Sequence, residues 1–465
     1  MNDSDRSPKS AETTVSDNPF AFRSDGYAWF VVFMLCLASV ISFIDRQIIN
    51  LLVDPIRADL GISDTQISLL QGFAFALFYS AVAIPLGRLA DAKNRKSIIA
   101  IGMILWSVAT ALCGISKVFW QLFFARMLVG VGEATLSPAG FSMLSDYFPR
   151  KSLTRALSVF TGSSFLGSGI ALVLGGLVFK ETLAIGPVDL GMFGIVRPWQ
   201  MAFLVVSLPG LVFVAILWFV VREPPRISSN RESDNAALSW GDAWSYLVNN
   251  RKVLGPVVLG FTFLAMMMFS LGAWVPTFFI RTYGMSAAEI GGIFGLYFMF
   301  LGSAGVISGG LLSDWLKAKG YDDSNMRAGL ISAVVTLPFL ATFSLVGDQT
   351  LSLILLAPVI FFGTMPFGAG PSALPLIVPN RLRGQVVALY LLIGNLIGQG
   401  GGPWCVAVFT DYVLEDSALI RFSISIVCST ILIIGAVILY FGAKPYANHV
   451  QIMEKELRDG PGQST

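Results

Sequence analysis

The 465-residue chain has one histidine, four cysteines and only 13% charged residues, and each shortage removes a class of function. With His449 alone there is no second imidazole for a zinc pair or a proton relay. No H-E-x-x-H or G-x-S-x-G occurs, so neither a metal hydrolase nor a serine nucleophile has its parts. No enzyme, metal or cofactor is expected. Cys36, Cys113, Cys405 and Cys428 all fall inside apolar runs, where a thiol behaves as a small hydrophobe, and no disulfide framework is implied. No G-x-x-x-x-G-K-[ST] loop occurs and no polar segment is large enough to bind nucleotide, so ATP is excluded as a direct source of energy. The 31 basic and 29 acidic residues nearly cancel, which by itself argues neither for nor against nucleic acid and makes position, not total, the informative property of the charges; no nucleic acid is expected among the partners.

What the chain has in abundance is apolar residues, 55% of the total, too many for the surface of a soluble domain. Runs of about 20 residues can each cross a bilayer as a helix, and twelve are read here: 27–52, 66–89, 97–115, 119–146, 153–179 and 199–221, then 253–281, 287–312, 328–346, 351–375, 384–410 and 420–442. The fold expected is therefore all-α and integral to the membrane. Basic residues crowd alternate short loops (Lys93, Arg95 and Lys96; Arg150, Lys151 and Arg155; Lys317 and Lys319; Arg381 and Arg383), which the positive-inside rule assigns to the cytoplasm together with both termini. The opposite loops include the acidic DPIRADLGISD from Asp54 and DYVLED from Asp411. Five stretches follow: a cytoplasmic tail at 1–26 read as disordered, a six-helix half at 27–221, a cytoplasmic central loop at 222–252, a second six-helix half at 253–442 and a cytoplasmic tail at 443–465. In the central loop SWGDAWSYL puts Trp240, Trp244 and Leu247 on one face after a Ser239/Asp242 cap pattern, which predicts a short helix at the membrane surface.

The two halves repeat one another. GRLADAKNRK from Gly87 parallels GLLSDWLKAK from Gly310; GVGEATLSP from Gly130 parallels GTMPFGAGP from Gly363; and Ser163, Gly167 and Ala171 parallel Gly394, Gly398 and Gly402. Matches in register at matching helix positions imply pseudo-symmetric halves with a site between them near mid-membrane. The G-x-L-x-D-x-x-x-R-K after the second helix and the R-x-x-x-G-x-G-E-A of the fourth resemble the best-known motifs of the major facilitator superfamily. FIDRQI, DAKNRKS, ARMLVGVGEA and LGSGI together resemble its spinster branch. The resemblance implies that Asp91 holds the halves together at the cytoplasmic edge, so Gly87, Asp91, Arg95, Lys96 and Asp314 are expected to govern conformation. In the fifth helix the antiporter-type motif has lost its Gly-Pro centre, which argues against antiport.

An intramembrane charge costs on the order of 3 kcal/mol on insertion scales, yet the first and fourth helices carry Asp45, Arg46, Arg126 and Glu133. Asp45 and Arg126 lie about 10 Å from the outer ends of their helices, so an ion pair between them is expected in at least one conformation; Glu133, two turns from Arg126 on the same face, lies near the middle. The repeat puts Val359 and Pro366 at the places of Arg126 and Glu133, so a symmetric packing need does not explain these charges. They are read as the substrate and proton site, with Glu133 expected to set the pH response. On the opposite wall Met266, Phe269, Trp274, Phe362 and Met365 offer an apolar surface suited to a greasy tail. The expected function is secondary active transport, in the cell inner membrane, of an amphipathic anionic substrate such as a lysolipid. It is expected to be coupled to protons and carried out by a monomer. The alternatives are a proton-coupled organic-anion or multidrug carrier, and a transporter-shaped lipid receptor.

Overall fold

The computed structural model describes residues 25–189, 191, 194–226, 240–379 and 382–459. Its spanning helices are α1 (Asp25–Leu51), α2 (64–92), α3 (Arg95–Gly114), α4 (119–147), α5 (Arg150–Ile185), α6 (Pro198–Val220), α7 (Arg251–Tyr283), α8 (Ala287–Ala318), α9 (Ser324–Phe343), α10 (Gln349–Leu376), α11 (Arg383–Leu414) and α12 (417–459). Eleven are long and apolar enough to cross a membrane. The remaining one, α4, is divided at Ala134–Thr135 into Phe119–Glu133 and Leu136–Tyr147 and carries two buried charges. Its counterpart α10 divides at the equivalent place, Met365, where Pro366 restarts the helix. The repeat also holds in packing: Gly167 of α5 lies against Val40 and Phe43 of α1, as Gly398 of α11 lies against Met266 and Phe269 of α7.

Twelve crossings put the start of α1 and the end of α12 on one face, called the terminal face below. Two elements exceed the sequence-based bounds by the most. Helix α5 runs for 36 residues, about 54 Å at 1.5 Å per residue, and so projects beyond the apolar layer. Helix α12 continues to Asp459 because its second half is still amphipathic: Tyr446 and Val450 are buried and Glu454 pairs with Lys317 at 2.8 Å. Residues 443–459 of the expected cytoplasmic tail are thus helical. Trp240–Asn249 forms the expected short helix, with Trp244 exposed and Leu247 packed against the core. Ser239, Arg381, residues 1–24 and the side chains of Trp240 and Asp242 lie outside the described residues.

The loop after α1 is more ordered than its composition predicts. Val53–Leu60 is a helix closed by Gly61 at a φ of 62°, and Ser63 with Gln66 forms a reciprocal capping box that opens α2. A left-handed residue costs glycine nothing, so the chain reverses there and presents Asp54 and Asp64 to the other half. The halves meet along α5 with α8, where Gly169 and Gly295 bring the backbones so close that a Cβ on either would lie within 2.5 Å of the other's carbonyl oxygen. They meet again along α2 with α11 at Gly72, whose Cβ would lie 2.2 Å from the Gln399 carbonyl oxygen. Among the described residues every ion pair between the halves involves Arg281, at the far end of α7. The far face is shut.

Candidate functional site

The charged wall is built by α1 and α4. Where α1 tightens into a 3-10 turn at Ile48–Leu51, its last α-helical carbonyls lose their usual amide donors. Arg126, fully buried, donates to the Asp45 carbonyl at 3.0 Å and the Arg46 carbonyl at 3.2 Å, and its Nε donates to the Leu70 carbonyl at 3.4 Å. Arg126 and Asp45 do lie at one depth, but the expected ion pair is absent in this conformation: the guanidinium is spent on main-chain oxygens. The carboxylate partner is Arg46 instead, whose Nη2 and Nε lie 2.5 and 3.1 Å from Glu133 Oε2, and Ser42, one turn earlier, donates to the same oxygen at 2.8 Å. Arg46 is 18% exposed and lies 4.2 Å from the Phe75 ring centroid and 4.8 Å from that of Phe43. Its aromatic bed keeps a charge at depth without a second counter-ion.

Neither carboxylate oxygen of Asp45 has a hydrogen-bond partner, although the residue is fully buried; Glu133 Oε1 is likewise unpartnered. A buried ion without a donor bears its whole desolvation cost, whereas the neutral acid does not. The two acids of the network therefore occupy different environments, one paired and one orphaned.

Across from them an apolar cavity of about 90 Å³ is lined by Phe261, Ala265 and Phe269 of α7, Phe367 of α10, and Tyr390 and Asn395 of α11. It suits a few methylene groups. Phe367 stacks edge-on with Phe269 and with Phe165 of the other half. Of the five residues expected on this wall only Phe269 lines the cavity. Trp274 is buried and donates to the Pro403 carbonyl at 2.9 Å; Met266 packs against Gly401 and Gly402, Met365 backs onto Gly309, and Phe362 stacks on Phe361. Glycine faces on α8 and α11 draw those backbones close, and adaptable side chains fill what is left.

The residues expected to govern conformation are dispersed. Arg95 is buried and ties α3 to its own half through Asp146, Glu223 at 2.7 Å and the Pro224 carbonyl at 3.0 Å, while the Lys96 amide donates to Glu223 at 2.9 Å. Among the described residues the exposed Asp91 and Asp314 have no ion-pair partner, and a Cβ at Gly87 would meet nothing within 4 Å. Among the described residues, none of these five forms an ion pair with the other half.

A second charge cluster, which no single sequence motif marks, lies on the far face. Arg281 makes four charge-assisted hydrogen bonds of 2.7 to 2.9 Å, two to Asp54 and two to Asp64, and a fifth to the Ser417 carbonyl at 3.1 Å. Arg57 lies 3.1 Å from Asp64, and Asp411 of α11 accepts from the Thr65 amide and hydroxyl at 2.6 and 2.7 Å. A lone basic residue opposite an acidic loop was the available signal.

Two six-helix halves, a charged wall facing an apolar one, and ion pairs that bridge the halves at the far face define a membrane carrier of the alternating-access type. The model of the Major Facilitator Superfamily matches residues 35–403. The chain is 30% identical to the protein spinster homolog 1 of Xenopus tropicalis over 83% of its own length and 74% of that protein, and 26% identical to an MFS-type efflux pump of Mycolicibacterium smegmatis over 91% and 94%. A bacterial homolog of the human lysosomal transporter spinster, solved in an inward-facing and unoccupied conformation, superposes with a TM-score of 0.76 at 24% identity, covering 95% of this chain and all of that one. The chain belongs to the Major Facilitator Superfamily, in its spinster-type branch.

Proposed function

We propose that this protein moves an amphipathic molecule with an anionic head group across the cell inner membrane, coupled to protons, and that the terminal face, cytoplasmic by its basic loops, is the open one here. The observation that carries the reading is the orphaned, fully buried Asp45 carboxyl beside the Arg46–Glu133 pair. With Asp45 protonated and Glu133 ionised, the two guanidinium groups leave one net positive charge in the wall, which an anionic head group neutralises. Loss of the Asp45 proton gives Arg126 a carboxylate partner in place of the α1 carbonyls, and the wall becomes neutral without a ligand. Proton and anion then bind together, which is symport. The apolar cavity around Phe269 and Phe367 takes part of the tail.

The resemblance to spinster proteins supports a lysolipid-like substrate. The likeness to an efflux pump supports a second reading, export of a lipophilic drug, favoured if the aromatic wall alone decides binding. Purified protein in liposomes separates the two: uptake of a labelled lysophospholipid driven by a pH gradient is expected for wild type, with Asp45→Asn binding the lipid but losing the gradient dependence. Glu133→Gln is expected to free Arg46 for the head group, tighten binding and impair concentration of the lipid. Gradient-dependent uptake by Asp45→Asn equal to wild type would sink proton coupling at this residue. Dye transport without lysolipid transport would establish the second reading.

A further inference from the structure

Helix α7 contains Pro276 within its span. Proline has no amide hydrogen, so the carbonyl four residues earlier, Gly272, has no helical donor, and the ring pushes that turn open. In a bilayer such a carbonyl must find another donor. It finds one in the other half of the molecule: Asn50 at the end of α1 donates from Nδ2 to the Gly272 carbonyl at 3.2 Å. Beside it, Gln71 of α2 donates from Nε2 to the Ala273 carbonyl, also at 3.2 Å, and to Asn50 Oδ1 at 3.1 Å. Gln47 Oε1 accepts from Asn50 at 2.7 Å and completes a chain of side-chain amides. Asn50 and Gln71 are buried, and Gln71 Oε1 has no partner. Gln71 sits within a π-helical turn, Leu69–Phe73, next to Gly72 at the closest approach of α2 to α11.

We infer that Pro276 makes α7 the acceptor side of a polar clasp, with Asn50 and Gln71 as its donors, and that this clasp sets how often the far face opens. The far face cannot open without parting Asn50 from Gly272 and Gln71 from Ala273. The clasp also joins the gate to the proton site, because Asn50 follows Arg46 by one turn of the segment whose carbonyls Arg126 holds. Three positions without charge thereby acquire a role in the transport cycle, acting through the helices and not on the ligand. The inference needs no particular substrate and stands apart from the lipid reading.

The test is the distance distribution between spin labels at Val118→Cys and Leu345→Cys, exposed far-face positions in the two halves, in full-length protein in nanodiscs with Cys36 and Cys405 replaced by alanine. Each of Asn50→Leu, Gln71→Met and Pro276→Ala is expected to raise the far-open to far-closed ratio roughly three- to tenfold, the effect of losing one or two net hydrogen bonds. Asn50→Leu and Pro276→Ala act on one bond, so the double variant is expected to exceed the larger single effect by less than about twofold. A side chain that merely packs would lower the unfolding temperature and leave the distribution in place. Unchanged ratios in well-folded variants, or effects of Asn50→Leu and Pro276→Ala that multiply in full, would overturn the inference. If Asn50→Leu fails to insert, Gln71→Met decides it alone, with an unchanged ratio counting against.

Discussion

Replacing Arg281 by alanine should release the far face. The side chain is 9% exposed and spans the halves with four charge-assisted hydrogen bonds of 2.7 to 2.9 Å. Breaking a buried pair by removing one partner costs about 3–5 kcal/mol, most of it the desolvation of the charge left behind. Two features reduce that here: Asp54 is 38% exposed and rehydrates, and Arg57 remains 3.1 Å from the buried Asp64. A loss of about 2–3 kcal/mol from the far-closed state follows, or roughly 30- to 150-fold in the ratio of states at 1.4 kcal/mol per decade. The assay is the rate at which a membrane-impermeant maleimide, added from the far side, labels a cysteine at Thr277, which is 1% exposed in this state. Labelling should accelerate as the open fraction grows, and Arg281→Lys, a point charge that cannot fork to two carboxylates, should fall between. Acceleration of less than threefold in Arg281→Ala would show that the cluster decorates the face without holding it.

Gly72→Ala should block closure from the packing side, because its Cβ would meet the Gln399 carbonyl oxygen at 2.2 Å and a close-packed backbone contact has nowhere to yield; maleimide access to Thr277→Cys should rise again, with Arg281 intact. Phe269→Ala should weaken binding of a single-chain amphiphile by about 1–3 kcal/mol, the worth of an aromatic face, read by titration of lipid against intrinsic fluorescence; loss of pH dependence without loss of affinity would count against the apolar cavity. Asp322 offers a control for pH. The Gln451 amide at 2.7 Å, with Lys317 beside it, holds its carboxyl below the ordinary 3.8. A depressed carboxyl contributes above its ordinary value and stops only as pH falls through the depressed one. Protection of the end of α12 from protease should therefore be constant from pH 8 to 5, so that a transport response in that range reports on the intramembrane acids.

The sequence made the helices, the repeat and the depth of the charges legible because each rests on a local or periodic property: apolar length, motif register, a rise of 1.5 Å per residue. Pairing was not legible. Asp45 and Arg46 are neighbours in sequence but lie about 100° apart around a helix, and which one meets α4 through its side chain depends on where α1 leaves α-helical geometry. That break falls at Ile48, and no proline or glycine announces it. The consequence is a different set of partners in this conformation: Arg126 holds main-chain oxygens, Arg46 holds Glu133, and Asp45 is left alone.

The gate was illegible for a different reason. Arg281, Asp54 and Asp64 are unremarkable one at a time, and an acidic loop on the far face agrees with the positive-inside rule without any further role. Their meaning lies in contact between halves more than 200 residues apart. The same holds for Pro276, which in sequence reads only as a kink. A proline that frees a carbonyl needs a donor, and in a chain this apolar the donor has to be one of the few polar side chains in the membrane. Asn50 meets that need from the opposite half, with Gln71 donating to the next carbonyl beside it. Accounting for unsatisfied backbone groups would thus have directed attention to the far gate sooner than accounting for charge, because in a bilayer an unpaired carbonyl is as demanding as an ion and far less conspicuous.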